Sequence, residues 1–273
     1  MWIDTHNHFD APDFDLNRQK KWQQAQALGV SAQCLMGVRL GDLSRQVRVA
    51  DELPDTYFAL GLHPLFVGEL VLDAAIAVLT HTIERYLNHP KFIGIGEIGL
   101  DGRKAHGGKL SVPLEKQCAF FKAQLALAYD YDLPVFMHSV KAEDKVLQYC
   151  KRVGVRRGIA HAFGGSEQQA RQFITQGFKL GVGGAMTYPR AKKYQRLIQT
   201  LPLSAFVLET DAPDMPPVWI KDGANQVSEL PRIAATFAEI RGVTPNELVP
   251  VIWQNTGAVV PAIAALNCIK ISM

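Results

Sequence analysis

Short apolar runs rich in β-branched and aromatic residues recur along the chain. Each run is followed by a longer stretch in which apolar positions return every three or four residues. This alternation predicts strands that each lead into a helix. The eight predicted strands cover residues 2–4, 30–36, 57–62, 92–98, 134–137, 158–160, 178–182 and 206–208. The predicted helices cover residues 16–28, 40–52, 72–88, 114–131, 143–153, 167–176, 190–201, 227–241 and 247–258.

The predicted strands are continuously apolar rather than alternating, which is typical of a parallel sheet buried on both faces. Eight β-α repeats in a chain of 273 residues match an α/β fold of the (β/α)8 TIM-barrel type. A doubly wound open sheet is the competing architecture. Because the sequence has no low-complexity stretch, flexible linker or change in composition, we expect a single domain over residues 1–273.

Composition and charge narrow the class of protein. Hydrophobic residues make up 48% of the chain and charged residues 20%, as in ordinary globular proteins. The formal net charge of +3 is far below that of a dedicated duplex-DNA-binding domain. A polyanionic substrate is therefore allowed but not required.

Cysteine usage and the lack of a targeting pattern bear on the compartment. The four cysteines are widely spaced without a C-x-x-C pair, which favours reduced core thiols over disulfides or zinc ligands: Cys34, Cys118, Cys150 and Cys268. The first residues lack a basic segment followed by an apolar stretch, and no run of about twenty apolar residues occurs. We expect a cytoplasmic protein that does not cross a membrane.

Histidines and acidic residues concentrate where the predicted strands end, which in a TIM barrel is the catalytic rim. A lone histidine is more often a hydrogen-bonded structural residue than a ligand, but five of the eight histidines occur there, with Glu97 and Asp211: His6, His8, His63, His138 and His161. Imidazole and carboxylate together suit Zn²⁺, Mn²⁺, Co²⁺ or Fe²⁺, and oxygen-only shells suit Mg²⁺. His6 and His8, two positions apart on a strand, point to the same face. The pattern indicates a metal site.

The motifs around these residues resemble a known family. IDTHNHFD, LGLHP, IGEIGLD, PVFMHS, HAFGG, KLGVGG and LETDAP follow one another along the chain. Their identity and order resemble the TatD family of metal-dependent deoxyribonucleases, within the amidohydrolase superfamily. The resemblance extends from residue 3 to about residue 255.

The resemblance implies a site for two divalent metal ions. It leaves the identity of the metal undetermined among Zn, Mn, Mg, Co and Fe. His6, His8 and Asp211 would hold one ion. His138 and His161 would hold the other, and Glu97 would bridge the two. Other branches of the superfamily use a carboxylated lysine as the bridge. The fourth predicted strand offers Glu97 and no lysine, which argues against those branches.

Further roles follow for residues near these ligands. Asp211 is also a candidate general base, with a helix N-cap as the structural alternative. Glu209 is expected to orient a ligand histidine. His63 is expected to face the substrate or to assist a ligand, or else simply to pack in the loop before Pro64.

Cations on the predicted rim are candidates for phosphate contacts. Seven of them lie on or near the predicted loops after strands four, five and seven: Arg103, Lys104, Lys109, Lys141, Arg190, Lys192 and Lys193. Arg190 and Lys192 are favoured, because the loop after strand seven is a frequent phosphate site in TIM barrels. Solvated surface lysines are the ordinary alternative.

The sequence departs from the common family pattern on the substrate side. Val140 stands where an arginine is frequent, and Arg103 follows Gly102 where an aromatic residue is common. Ala162 and Gly164 belong to a motif that usually contains a serine, and Gln226 and Val227 replace the end of an N-x-P motif. All six expected metal ligands are present.

The leading hypothesis is a TatD-type hydrolase that cleaves phosphodiester bonds in DNA, with exonucleolytic action on single-stranded ends as one form. A second hypothesis is hydrolysis of a small amide, lactone or phosphoester by the same centre. A third is a metal-binding protein without turnover. The expected partners are a nucleic-acid substrate and no membrane, and the expected state is a monomer or weak oligomer.

Overall fold

The computed structural model describes residues 1–104 and 111–270, the last four of them as backbone alone. Eight strands pair in parallel in the order of the chain. They are β1 (Trp2–Asn7), β2 (Val30–Met36), β3 (Thr56–Leu60), β4 (Phe92–Asp101), β5 (Val135–Val140), β6 (Gly158–Ala160), β7 (Phe178–Val182) and β8 (Phe206–Leu208). All eight predicted strands are therefore confirmed.

The two ends of this sheet meet, so that β1 lies beside β8. The Asp211 amide donates to the His6 carbonyl at 2.9 Å, and the His8 amide donates to the Ala212 carbonyl at 2.7 Å. The Thr5 hydroxyl donates to the Leu208 carbonyl at 3.0 Å. These bonds close the sheet into a TIM barrel, and the alternative of a doubly wound open sheet is wrong.

Helices cover the outside of the barrel and one of its ends. They are α1 (Arg18–Ala27), α2 (Leu43–Glu52), α3 (Leu72–Tyr86), α4 (Leu114–Asp130), α5 (Glu143–Val153), α6 (Glu167–Thr175), α7 (Lys192–Thr200), α8 (Leu230–Arg241), α9 (Pro245–Val259) and α10 (Pro261–Lys270). The sequence predicted the first nine with small shifts at their ends. It missed α10, which is apolar and packs against α9.

Three strands are longer than predicted, and this changes where the candidate site begins. The strand predictions 2–4, 92–98 and 134–137 stop early because polar residues interrupt the apolar run, but β1, β4 and β5 continue to Asn7, Asp101 and Val140. His6 and His138 therefore lie inside strands rather than after them.

The core has two layers, which explains why the strands are apolar on both faces. One cluster fills the barrel and includes Ile3, Phe136 and Trp253. The other lies between the sheet and the surrounding helices. The thiols of Cys34, Cys118 and Cys150 are free and buried, as predicted, and the side chain of Cys268 lies outside the described residues. Within the described parts of the chain, no helix combines the length and apolar character needed to span a membrane.

Candidate metal centre

The carboxyl ends of the strands surround a cavity of about 1060 Å³. Five of the six predicted metal ligands line it: His8, Glu97, His138, His161 and Asp211. The sixth, His6, is fully buried next to Glu97. The barrel thus brings together six side chains that are separated by up to 205 positions in the sequence, because parallel strands all end at the same rim.

Glu97 occupies the middle of this group, and its two carboxylate oxygens face different histidines. Oε2 lies 3.2 Å from Nε2 of His6 and 3.5 Å from Nε2 of His8. Oε1 lies 3.0 Å from Nδ1 of His138 and 3.6 Å from Nε2 of His161. The four histidines therefore divide into the same two pairs that the resemblance implied.

Asp211 contacts both pairs from the other side. Its Oδ1 lies 3.7 Å from Nε2 of His6 and 3.5 Å from Nε2 of His8, and its Oδ2 lies 4.0 Å from Nε2 of His161. The residues that follow Asp211 form turns and irregular structure rather than a helix. The alternative reading of Asp211 as a helix N-cap is therefore wrong.

These separations fit a metal site. Two ligand atoms that each lie about 2.1 Å from one ion in tetrahedral geometry are about 3.4 Å apart. Three groups of three residues bring one ligand atom each within 4.8 Å of one another: His6, His161 and Asp211; His6, His8 and Glu97; His63, Glu97 and His138. Imidazole nitrogen with carboxylate oxygen is the donor set of zinc and related divalent transition metals.

Hydrogen bonds to the far side of three histidine rings fix which nitrogen faces the centre. Nδ1 of His8 lies 3.2 Å from the Met36 carbonyl, and Nδ1 of His161 lies 3.1 Å from Oε1 of Glu209. Nε2 of His138 lies 2.9 Å from Oδ2 of Asp101. Because each of these oxygens accepts a hydrogen bond from the far N–H of its ring, the nitrogen facing Glu97 and Asp211 is the one that would bind a metal ion after losing its proton.

His63 differs from these three histidines. Its Nδ1 accepts a hydrogen bond from the Leu65 amide at 3.1 Å, and its Nε2 lies 3.5 Å from Oε1 of Glu97. Burial lowers the pKa of His63 to about 3, so the ring is neutral and carries its single proton on Nε2. In this tautomer His63 is a hydrogen-bond donor to the centre and not a metal ligand.

The charged groups around the centre favour the replacement of histidine protons by metal ions. Burial lowers the pKa of His161, but Asp211, Glu209 and Glu97 outweigh it and raise that pKa to about 10. Burial raises the pKa of Glu97, but the surrounding histidines outweigh it and hold the pKa well below its ordinary value. The carboxylates are thus anionic at neutral pH, and a metal ion competes with histidine protons for the same atoms.

The cations favoured from the sequence lie away from the central cavity. Arg190 lines a second cavity of about 400 Å³, and Lys192 lines neither cavity. Arg103 is the one member of the seven-cation set that lines the central cavity among those described, and Lys109 lies outside the described residues. The central cavity has two further arginines that the sequence did not single out, Arg39 and Arg45.

Sequence reasoning also missed several polar residues around the centre. Asp101 accepts from His138 and from the Arg103 guanidinium, and it lies four positions after Glu97 on β4. That even spacing was a usable signal, since such residues share a strand face. Asn225 is buried and donates to the Thr210 and Asp214 carbonyls, which fixes the loop after Asp211.

Comparisons with known proteins agree with this geometry. The family model for TatD-related DNases matches residues 3–260. An Escherichia coli K12 protein described as the uncharacterized metal-dependent hydrolase YjjV is 37% identical over 256 residues, which cover 93% of this chain and 96% of that protein. Its crystal structure superimposes with a TM-score of 0.88 at 36% identity and covers 95% of this chain and 98% of that one. The 3′-5′ ssDNA/RNA exonuclease TatD of Klebsiella pneumoniae is 30% identical over 226 residues, which cover 80% of this chain and 82% of that protein.

Proposed function

The chain belongs to the TatD-related DNase family of metal-dependent hydrolases, and from this premise we propose that it hydrolyses phosphodiester bonds in DNA at a dinuclear metal centre. The proposed ligands are His6, His8 and Asp211 for one ion and His138 and His161 for the other, with Glu97 between them. Relatives named as exonucleases on single-stranded DNA and RNA support the choice of substrate.

One observation carries the proposal of two ions. The two oxygens of Glu97 face separate histidine pairs, at 3.2 and 3.5 Å on one side and 3.0 and 3.6 Å on the other. A carboxylate that bound a single ion would need histidines beside only one of its oxygens, whereas Glu97 has a histidine pair beside each oxygen. This arrangement supports a bridging carboxylate of the kind found in two-metal phosphoryl-transfer sites.

The chain's own side chains account for the proton transfers. Bound divalent ions would acidify a water molecule and stabilise charge on the phosphate. Asp211 would accept the proton of the attacking water, because its carboxylate faces both histidine pairs. Burial would raise the pKa of Asp211, but His161 and His8 outweigh it and keep the group ionised. His63 would donate from Nε2 to a substrate oxygen.

A second function is favoured by the charge around the cavity. Arg39, Arg45 and Arg103 line it, but so do four aspartates besides Asp211, and these repel a long polyanion: Asp10, Asp13, Asp42 and Asp214. A small phosphoester or lactone would meet less of this repulsion than a strand of DNA. The same centre would then act on a small ester.

A labelled single-stranded oligonucleotide distinguishes the two functions. The purified protein with Mg²⁺, Mn²⁺ or Zn²⁺ should shorten the oligonucleotide, and Asp211→Asn should abolish cleavage while the circular dichroism spectrum is unchanged. Asp130→Asn, an exposed change at the end of α4, is the matched control and should cleave normally. If the oligonucleotide stays intact while a generic phosphoester or lactone is hydrolysed, the proposed nuclease activity is refuted and hydrolysis of a small substrate is supported.

Metal analysis tests the centre itself. We expect two ions per chain in the wild type and a lower content in Glu97→Ala. One ion per chain, or an unchanged content in Glu97→Ala, would refute the bridging role of Glu97.

We also propose that the protein works in the cytoplasm as a monomer or weak oligomer. The free buried thiols of Cys34, Cys118 and Cys150 support a reducing compartment. Size-exclusion chromatography with light scattering tests the oligomeric state, and a stable tetramer would contradict it.

A further inference from the structure

Tyr194 lies at the junction of the two cavities on the catalytic rim. It belongs to the first turn of α7, and it lines both the central cavity and the cavity of about 400 Å³ beside it. Met215 is the other residue shared by both linings. A substrate that extends from the metal centre toward Arg190 therefore passes this tyrosine.

The Tyr194 hydroxyl is available for a ligand. Within residues 1–104 and 111–270 it makes no hydrogen bond to the protein, although the side chain is only partly exposed. Burial and the nearby Glu209 and Glu143 raise the pKa of Tyr194, so the phenol keeps its proton at neutral pH. The group is thus a hydrogen-bond donor without an acceptor among the described residues, and it lines the same cavity as the candidate metal centre.

Gly164 makes the room that this hydroxyl occupies. A Cβ atom at position 164 would lie 2.7 Å from Oη of Tyr194 and 3.4 Å from its Cζ. The first distance is too short for any real side chain, and the second is an ordinary contact. Nζ of Lys193, the residue before Tyr194, donates to the Gly164 carbonyl at 2.6 Å. A side chain at 164 would therefore require the phenol oxygen to move.

We propose that the Tyr194 hydroxyl donates a hydrogen bond to an anionic oxygen of the substrate. The inference rests on the proposed hydrolysis of a phosphate ester. It assigns to this chain a substrate contact that comes from α7 rather than from the loop after β6. Tyr194 is a substrate-binding residue in this scheme and takes no part in holding metal.

Removal of the single oxygen tests the contact. Tyr194→Phe should lower kcat/KM for the oligonucleotide by about 10- to 100-fold, the usual effect of losing a hydrogen bond to a charged group. The same variant should bind a deoxynucleoside 5′-monophosphate more weakly by a similar factor in calorimetry with the metal-loaded protein. Tyr129→Phe changes an exposed tyrosine on α4 and should leave both quantities unchanged.

A serine exchange separates substrate contact from simple packing. Gly164→Ser alone should impair the enzyme, because the new side chain displaces the phenol. Gly164→Ser combined with Tyr194→Phe should recover activity relative to either single variant, since the serine hydroxyl then occupies the vacated space. The proposal would be overturned if Tyr194→Phe had the same kinetics and nucleotide affinity as the wild type. It would also be overturned if the double variant were no more active than either single variant.

The outcomes also distinguish this inference from the proposed function. If the wild type leaves DNA intact, the nuclease proposal fails, but nucleotide binding by wild type and Tyr194→Phe still decides the role of Tyr194. If the wild type cleaves DNA and Tyr194→Phe cleaves and binds equally well, only the Tyr194 contact fails.

Discussion

The hydrogen bond from His161 to Glu209 allows a quantitative test of how the barrel orients a proposed metal ligand. Oε1 of Glu209 accepts from Nδ1 of His161 at 3.1 Å and from the Ala162 amide at 2.6 Å. The carboxylate is buried, with 1% of the residue exposed. Glu209→Gln keeps an acceptor in place but removes the negative charge. His161 then keeps its orientation and becomes a poorer electron donor to a metal.

The expected loss can be worked out from this geometry. A hydrogen bond to a charged group contributes about 1.5 to 3 kcal/mol, and a neutral one contributes about 1 kcal/mol. The difference of about 0.5 to 2 kcal/mol corresponds to roughly 2- to 30-fold in metal affinity. Loss of a whole outer hydrogen bond typically costs about 10- to 100-fold. We therefore expect Glu209→Gln to weaken metal binding about tenfold and Glu209→Ala to weaken it further.

Gly181→Ala perturbs the same carboxylate without changing any polar group. A Cβ atom at position 181 would lie 2.1 Å from Oε2 of Glu209, so the carboxylate must shift, and its hydrogen bond to His161 is perturbed. Gly41→Ala is the matched control, because nothing lies within 4 Å of a Cβ atom there. Competition with a chromophoric chelator at fixed pH measures the affinity. Metal affinities of Glu209→Gln and Gly181→Ala that both stay within about twofold of the wild type would refute this role of Glu209.

Three further predictions concern protons, stability and the second ion. In the absence of metal, the pKa of His161 is raised to about 10. Protonated His161 therefore stabilises the metal-free fold, and this stabilisation is complete below the unfolded pKa near 6.5. The melting temperature of the metal-free protein should fall as pH rises from 6.5 toward 10. Asp4→Ala leaves the amide and hydroxyl of Thr210 without their acceptor and should lower the free energy of unfolding by about 3 kcal/mol in urea denaturation. Asp101→Asn weakens the bond to His138, so metal titration should show loss of affinity for one of two ions.

The concentration of histidines and acidic residues at the rim could be predicted from the sequence, because each of these residues lies on a strand or within three positions of its end. The assignment of six of them as candidate metal ligands came from the family resemblance. The alternation of strands and helices predicts that the strands are parallel and end at one rim, and the two-residue spacing of His6 and His8 predicts that they share a face. The same pattern underestimated the lengths of β1, β4 and β5. His6 and Asp101 are polar and buried, so they interrupt a hydrophobic run although they belong to the strand.

The residues that line the mouth of the cavity could not be predicted in the same way. Arg39 and Tyr194 reach the cavity from a loop and from the first turn of a helix. Their positions depend on the path of the connecting backbone, which has no period to extrapolate. Arg190 illustrates the reverse error: it lies in the expected loop, but its guanidinium is 5.9 Å from the centre of the Tyr188 ring and lines the smaller cavity.

The seam of the barrel and the candidate metal centre share residues, and this links closure of the fold to assembly of the site. His6 accepts the Asp211 amide through its carbonyl, and its ring faces the Asp211 carboxylate. The His8 amide bonds to the Ala212 carbonyl, and the His8 ring faces the same carboxylate. An ion held by these three side chains would therefore also join β1 to the segment after β8. Because each side chain is attached to backbone that the seam already fixes, the ligands are positioned before metal binds, and little conformational entropy remains to be lost.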